Sequence, residues 1–319
     1  MLGGLPNINI KPLIILGAGA SHDFISDLSY RDPGDEHRKP PLANNLFQDN
    51  PFFRGLKGVD QFKNIQSLMG NVVKRMKLGR SLEEVLDDIQ NNPNEEKQFK
   101  EELPILKNYL AFLFSKISYH NISFAGNNYQ IFFRSIMLSC EDCLVVNFNY
   151  DYLAQKAISD TYNFEFDHFI RYLNKRIKLI HIHGSVLWGI SNEGDYKLKT
   201  GYGDKVFSNS AITIPTIKGK NFACPIEQQE YLDTNISSVN VIVIIGWKGK
   251  EDHFKALLNT IKEVHRIIII GGSDKSNNEC LKNSGLSRFR CEKIYVKGFL
   301  NFLDEYTDFS TDVKEEHIF

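Results

Sequence analysis

Six short apolar runs constrain this chain more than any other feature. They are Leu13-Ile14-Ile15-Leu16, Leu144-Val145-Val146, Leu179-Ile180-His181-Ile182, Val241–Ile245, Ile267-Ile268-Ile269-Ile270 and the shorter Ile294-Tyr295-Val296. A strand apolar on both faces needs helices against both, which is how parallel sheets are built. Helical stretches follow the second run (residues 152–159) and the fourth (residues 252–263). The pattern predicts an α/β, Rossmann-like, doubly wound parallel sheet. Each run is far shorter than the roughly 18 residues needed to span a bilayer.

Between the first and second runs the pattern changes, and a helical insertion is expected over about residues 42–140. Ser81-Leu82-Glu83-Glu84 reads as a capping box. Leu82, Val85, Leu86 and Ile89 then mark one helical face, and Asn91-Asn92-Pro93 ends it. Further amphipathic stretches cover about residues 101–116 and 130–138. Residues 31–41 read as a polar loop with three prolines. The Gly-containing segment of about residues 186–235 reads as a small module of loops and short strands. With 319 residues the length allows about two domains; the expectation is one domain over residues 1–319 that carries the insertion.

Three segments at strand ends carry chemistry. Gly17-Ala18-Gly19-Ala20-Ser21 follows the first run, where a glycine pair allows a tight turn and lets backbone N–H groups approach a phosphate. The third glycine of the dinucleotide fingerprint is absent, since position 22 is His, which argues against a redox dehydrogenase. Asn147-Phe148-Asn149-Tyr150-Asp151 follows the second run. Asn149 offers a donor and an acceptor for a water or a sugar hydroxyl; Asn149 or Asp151 could equally cap the next helix. His181-Ile182-His183-Gly184-Ser185 follows the third. Alternation puts both histidines on one face, with His183 at the crevice as a general base and His181 as a structural residue.

In this order the segments resemble the sirtuin superfamily, most closely its divergent prokaryotic branch of NAD-hydrolysing antiviral proteins. Gly17 to Ser21, Asn149-Tyr150-Asp151 and His183-Gly184-Ser185 carry the resemblance, joined by Val243-Ile244-Ile245-Gly246 and the helix over residues 81–89. It covers about residues 12–272. Deacylating sirtuins place two Cys-x-x-Cys pairs after the catalytic His. Here Cys140-Glu141-Asp142-Cys143 precedes it and no second pair exists. A sirtuin-like fold without the zinc module, and no zinc, is therefore expected. Trp247-Lys248 replaces the family's usual polar residue after the strand-end glycine.

The resemblance implies an NAD+ glycohydrolase that uses NAD+ as substrate and releases ADP-ribose and nicotinamide, acting as an antiphage abortive-infection effector. Asn149, His183 and Asp151 are the catalytic candidates. Gly17, Ala18, Gly19, Ala20, Ser21, Ser185, Gly246, Trp247, Lys248, Gly271, Gly272 and Ser273 are the candidates for binding the dinucleotide. A homo-oligomer and a partner ATPase or helicase-type defence protein follow from the same resemblance. Two other readings stay open: a non-catalytic NAD- or ADP-ribose-binding regulatory subunit, and an NAD-dependent deacylase.

Composition narrows the partners. Lys plus Arg number 38 and Asp plus Glu 39, so no direct nucleic-acid binding is expected. Membrane binding is not expected either, and residues 1–10 have no apolar signal core. Five cysteines in a long chain fit reduced thiols and a cytoplasmic location.

Overall fold

The computed structural model describes residues 11–25, 39–43, 46–47, 59–140, 142–173, 176–203, 205–216 and 222–306. The readings placed on residues 1–10 and 31–38, and parts of those on 42–140 and 186–235, lie outside the described residues.

All six apolar runs are strands of one sheet. They are β1 (Pro12–Leu16), β2 (Cys143–Asn147), β3 (Ile177–His181), β7 (Val241–Ile245), β8 (Arg266–Gly271) and β9 (Glu292–Lys297). The order is β3-β2-β1-β7-β8-β9 and every pairing is parallel. Alternate residues serve opposite cores. Ile14 and Leu16 join the cluster that holds Phe132 and Leu153, whereas Leu13 and Ile15 join the one that holds Phe254 and Leu258. Burial on both faces is why these strands read as unbroken apolar runs. The sheet reverses its direction of winding between β1 and β7, and ligands of such folds bind beyond the strand tips at that crevice.

The helices are α1 (Ala18–His22), α2 (Gln66–Lys77), α3 (Leu82–Asn91), α4 (Lys97–Asn121), α5 (Asn128–Ser139), α6 (Leu153–Tyr162), α7 (Ile226–Asn235), α8 (Asp252–Leu258), α9 (Asp274–Asn283) and α10 (Phe299–Tyr306). Helices α2 to α5 lie between β1 and β2 in sequence. The capping box forms: Ser81 Oγ accepts from Glu84 N at 3.2 Å, and Ser81 N donates to Glu84 Oε2 at 2.8 Å. Helix α8 stops at Leu258, five residues before its sequence pattern fades.

The other strands, β4 (Gly184–Ile190), β5 (Tyr196–Leu198) and β6 (Ser210–Ile212), make an antiparallel sheet in the order β5-β4-β6. Among the described residues no helix is long and apolar enough to cross a membrane.

Candidate functional site

A cavity of about 360 Å³ opens at the tips of β1, β2 and β7, within the size range of ligand sites. Asn149, Asp151 and His183 all line it. So do Gly17, Ala18, Gly19, Ser21, Gly246, Trp247, Lys248, Gly271 and Gly272.

Asn149 is held firmly. Its Nδ2 donates to Gly17 O at 2.9 Å and to Ser21 Oγ at 3.0 Å, and its backbone N donates to Asn147 Oδ1 at 3.0 Å. Gly17 O can only accept, so the orientation of the amide is fixed. With both amide protons committed, Asn149 meets a ligand as an acceptor, not as the donor and acceptor expected from sequence.

Asp151 is buried, lies one residue before the N-cap Tyr152, and accepts from Leu153 N, the first residue of α6, at 3.1 Å. Burial pushes its carboxyl up to about 6, partly offset by hydrogen bonds from Ser21 and the backbone. Asp151 thus holds a backbone donor at the helix start and lines the cavity at once. A buried carboxylate with a raised pKa beside a cleft marks a candidate functional group.

The two histidines do not share a face. Strand β3 ends at His181 and the chain turns, which breaks the alternation. His181 packs edge-on against Tyr172 and Trp188, at 6.1 and 5.4 Å between ring centroids. Burial lowers its imidazole to about 4, so it stays neutral. His183 lies on the other side, edge-on to Phe148 at 5.0 Å. Phe148 in turn stacks on Trp247 at 5.2 Å, and Trp247 Nε1 donates to Glu251 Oε2 at 2.7 Å.

The surroundings of several candidates add to what the sequence suggests. The glycines at 17 and 19 line the cavity and also admit a neighbouring turn: a Cβ on Gly17 would sit 2.5 Å from Gly246 O, and one on Gly19 2.8 Å from Gly246 Cα. Gly17 N, Gly19 N and Ala20 N are bonded to Ile245 O, Gly246 O and Gly17 O. Three of the four N–H groups of Gly17 to Ala20 are therefore committed internally. Ala20, Ser185 and Ser273 do not line the cavity. Ala20 is buried. Ser185 Oγ accepts from Leu187 N at 3.2 Å inside β4. Ser273 is exposed and caps α9. Gly184 has φ +85°, and a Cβ there would lie 1.8 Å from Ala211 O, so it is needed for pairing with β6.

Sequence reasoning missed other wall residues. Leu82, Phe114, Pro215 and Lys250 close one side, and Asn277 lines the β8 end. The Ser81 capping box was the one available signal, since it placed a helix start that proves to face the site.

Comparison by sequence with family models and with curated proteins finds no match. Among solved structures, a Sir2 homologue in complex with NAD aligns with a TM-score of 0.50 at 10% identity, over 95% of this chain and 90% of that one. The fold is sirtuin-like. A mutant Sir2 homologue in complex with 2'-O-acetyl ADP ribose aligns with a TM-score of 0.49 at 12% identity, over 97% of this chain and 95% of that one. At such identity the likeness is one of fold. Among the described residues of this sirtuin-like chain, no group of three or more His, Cys, Asp or Glu side chains could hold a metal ion. Cys140 follows α5 and Cys143 opens β2, both buried, and burial pushes the Cys140 thiol up to about 11.

Proposed function

We propose that this protein hydrolyses the glycosidic bond of NAD+. The observation that carries the reading is that Asn149, Asp151 and His183 line one cavity at the switch point of a sirtuin-like sheet. The reaction takes NAD+ and water to ADP-ribose, nicotinamide and a proton. Nicotinamide leaves a cationic centre as a neutral molecule, so no general acid is required. The sugar passes through an oxocarbenium-like state. Asn149 Oδ1 accepts from a ribose hydroxyl or from the attacking water. His183 takes the proton that this water or hydroxyl gives up. Asp151, when ionised, faces the developing cation. Lys248 and Lys250 at the rim favour the diphosphate electrostatically. The same reading takes residues 1–319 as one NAD-binding unit, works as a homo-oligomer with a partner ATPase, and assigns the protein to abortive antiphage defence.

One observation favours the second reading, a dinucleotide-binding regulatory subunit: both Asn149 amide protons are spent on Gly17 O and Ser21 Oγ, a structural tie that a binding role alone accommodates. One assay separates the readings. Purified protein is incubated with NAD+, with and without an acetylated peptide, and nicotinamide, ADP-ribose and O-acetyl-ADP-ribose are quantified. Nicotinamide with ADP-ribose in equal amounts supports hydrolysis. Binding of NAD+ by calorimetry without any product supports the regulatory reading. O-acetyl-ADP-ribose formed only with peptide identifies a deacylase. Loss of cellular NAD+ on phage challenge, absent in a His183→Ala strain, tests the defence role.

A further inference from the structure

We infer that Tyr129 is a positioning residue: from a helix outside the parallel sheet, its hydroxyl fixes Ser21 and, together with Ser21, the Asn149 carboxamide at the cavity. The Tyr129 hydroxyl lies 3.0 Å from Ser21 Oγ, across 108 residues of sequence. Asn149 Nδ2 lies 3.0 Å from the same oxygen. A serine hydroxyl has one proton and two lone pairs. Asn149 donates into the Ser21 oxygen from one side, and the Tyr129 hydroxyl bonds the same oxygen from the other. Ser21 is thereby held between two elements of the fold, the turn after β2 and helix α5. Burial keeps the phenol protonated, as this role requires.

The surroundings leave the phenol nowhere else to go. Tyr129 is buried, with its ring stacked on Phe133 at 22° and packed against Phe24 and Phe299 at 5.8 Å. The start of α5 is tied to the segment just after α1: Asn128 N donates to Phe24 O at 3.0 Å, and Asn128 Nδ2 to Asp23 O at 2.5 Å. Helix α5 therefore holds the Ser21 turn at both its backbone and its side chain. Removing the hydroxyl keeps the ring, as Phe, and leaves Ser21 its bond from the Asn149 amide. What is lost is the second bond that pins the serine, and with it the fixed acceptor for the Asn149 amide.

The catalytic consequence rests on the NAD+ hydrolysis reading; the positioning itself does not. The test is Tyr129→Phe in the full chain, followed by two readouts. The first is the Asn149 side-chain amide in a ¹⁵N correlation spectrum, assigned by its disappearance in Asn149→Asp. Its resonances should move and its hydrogen exchange quicken about five- to tenfold, the worth of one hydrogen bond. The second is nicotinamide release, with kcat reduced by a similar factor and KM for NAD+ nearly unchanged. Ile136→Val, a buried methyl deletion on the same helix, should lower the melting temperature and leave the Asn149 resonances in place. Unchanged Asn149 resonances in Tyr129→Phe overturn the inference, whatever the enzyme does. Moved resonances in a protein that never releases nicotinamide overturn the hydrolase reading and leave Tyr129's role standing.

Discussion

Gly19 and Gly246 are in direct backbone contact: Gly19 N donates to Gly246 O at 3.1 Å, and a Cβ on Gly246 would lie 2.4 Å from Gly19 Cα. The contact closes the switch point itself, joining the turn after β1 to the turn after β7. Gly246 also has φ +63°, a region that disfavours any other residue. Substitution here acts on the fold before it acts on a ligand. Gly246→Ala should destabilise by at least about 2 kcal/mol, combining strain with overpacking. Gly19→Val should do the same, so its loss of NAD+ binding would track the folded fraction. Urea denaturation with calorimetry at matched folded concentration checks this. A wild-type midpoint for Gly246→Ala would contradict it.

Asp151 should set stability against activity. Its folded pKa of about 6 lies above the ordinary 3.8 because burial disfavours the charge. The native state then binds the proton more tightly than the unfolded state does. Stability from this group is complete below about pH 4 and falls as pH rises to about 6. By pH 7 the ionised carboxylate costs about 3 kcal/mol, as an upper figure. Asp151→Asn keeps an acceptor for Leu153 N and removes the charge. Its urea midpoint should exceed that of wild type at pH 7.5, and the gap should shrink toward pH 4. Nicotinamide release should fall in the same variant if the ionised form faces the cation. Parallel stability curves across pH 4–8 would show that burial does not perturb this carboxyl.

The parallel sheet was legible because both its faces are buried, which leaves no polar alternation to confuse the strands. The apolar runs around Ile14, Val145, Ile180, Val243 and Ile268 each became a strand. Strand β4 was not legible as a long element. It begins at Gly184, a glycine in a left-handed conformation that reads in sequence as a loop. The same turn defeated the alternation argument for His181 and His183. Asn149, Asp151 and His183 stand out in the sequence because polar residues just past buried strands are conspicuous, and all three line the cavity. Tyr129 was invisible for the opposite reason. It sits in Asn128–Ser139 among Phe132, Phe133 and Ile136, where an aromatic residue reads as core. Periodicity shows that such a ring is buried but not that its hydroxyl meets a serine from another element.

His181 and His183 should separate cleanly in experiment. His181 is held neutral by burial, with a folded pKa of about 4 against an ordinary 6.5. Stability from this neutral imidazole is complete above about pH 6.5 and is lost as pH falls toward 4, by about 3 kcal/mol in total. His181→Leu removes the group that must charge, so acid unfolding followed by circular dichroism should shift to lower pH. Nicotinamide release at pH 7.5 should stay within about threefold of wild type, because His181 packs on Trp188 and not in the cavity. An unmoved acid transition would mean that other groups dominate acid unfolding.

His183→Ala and Asn149→Ala should each cut turnover at least about a hundredfold, but with different effects on the fold. His183 meets Phe148 edge-on and lines the cavity. Removing it forfeits proton transfer, worth about 10²–10⁴-fold, and should leave folding largely intact. Asn149 holds Gly17 O and Ser21 Oγ as well as facing the cavity. Its removal takes away two buried hydrogen bonds, a loss of about 1–3 kcal/mol, besides at least about a hundredfold in rate. Asn149→Asp is the sharper variant: its carboxylate cannot donate to Gly17 O, and it adds charge beside Asp151. It should lower both the melting temperature and turnover further than Asn149→Ala. Single-turnover nicotinamide release and thermal melts on all three variants check the ranking. A fully active Asn149→Ala protein would remove the amide from the mechanism and leave it a purely structural tie between the turns after β1 and β2.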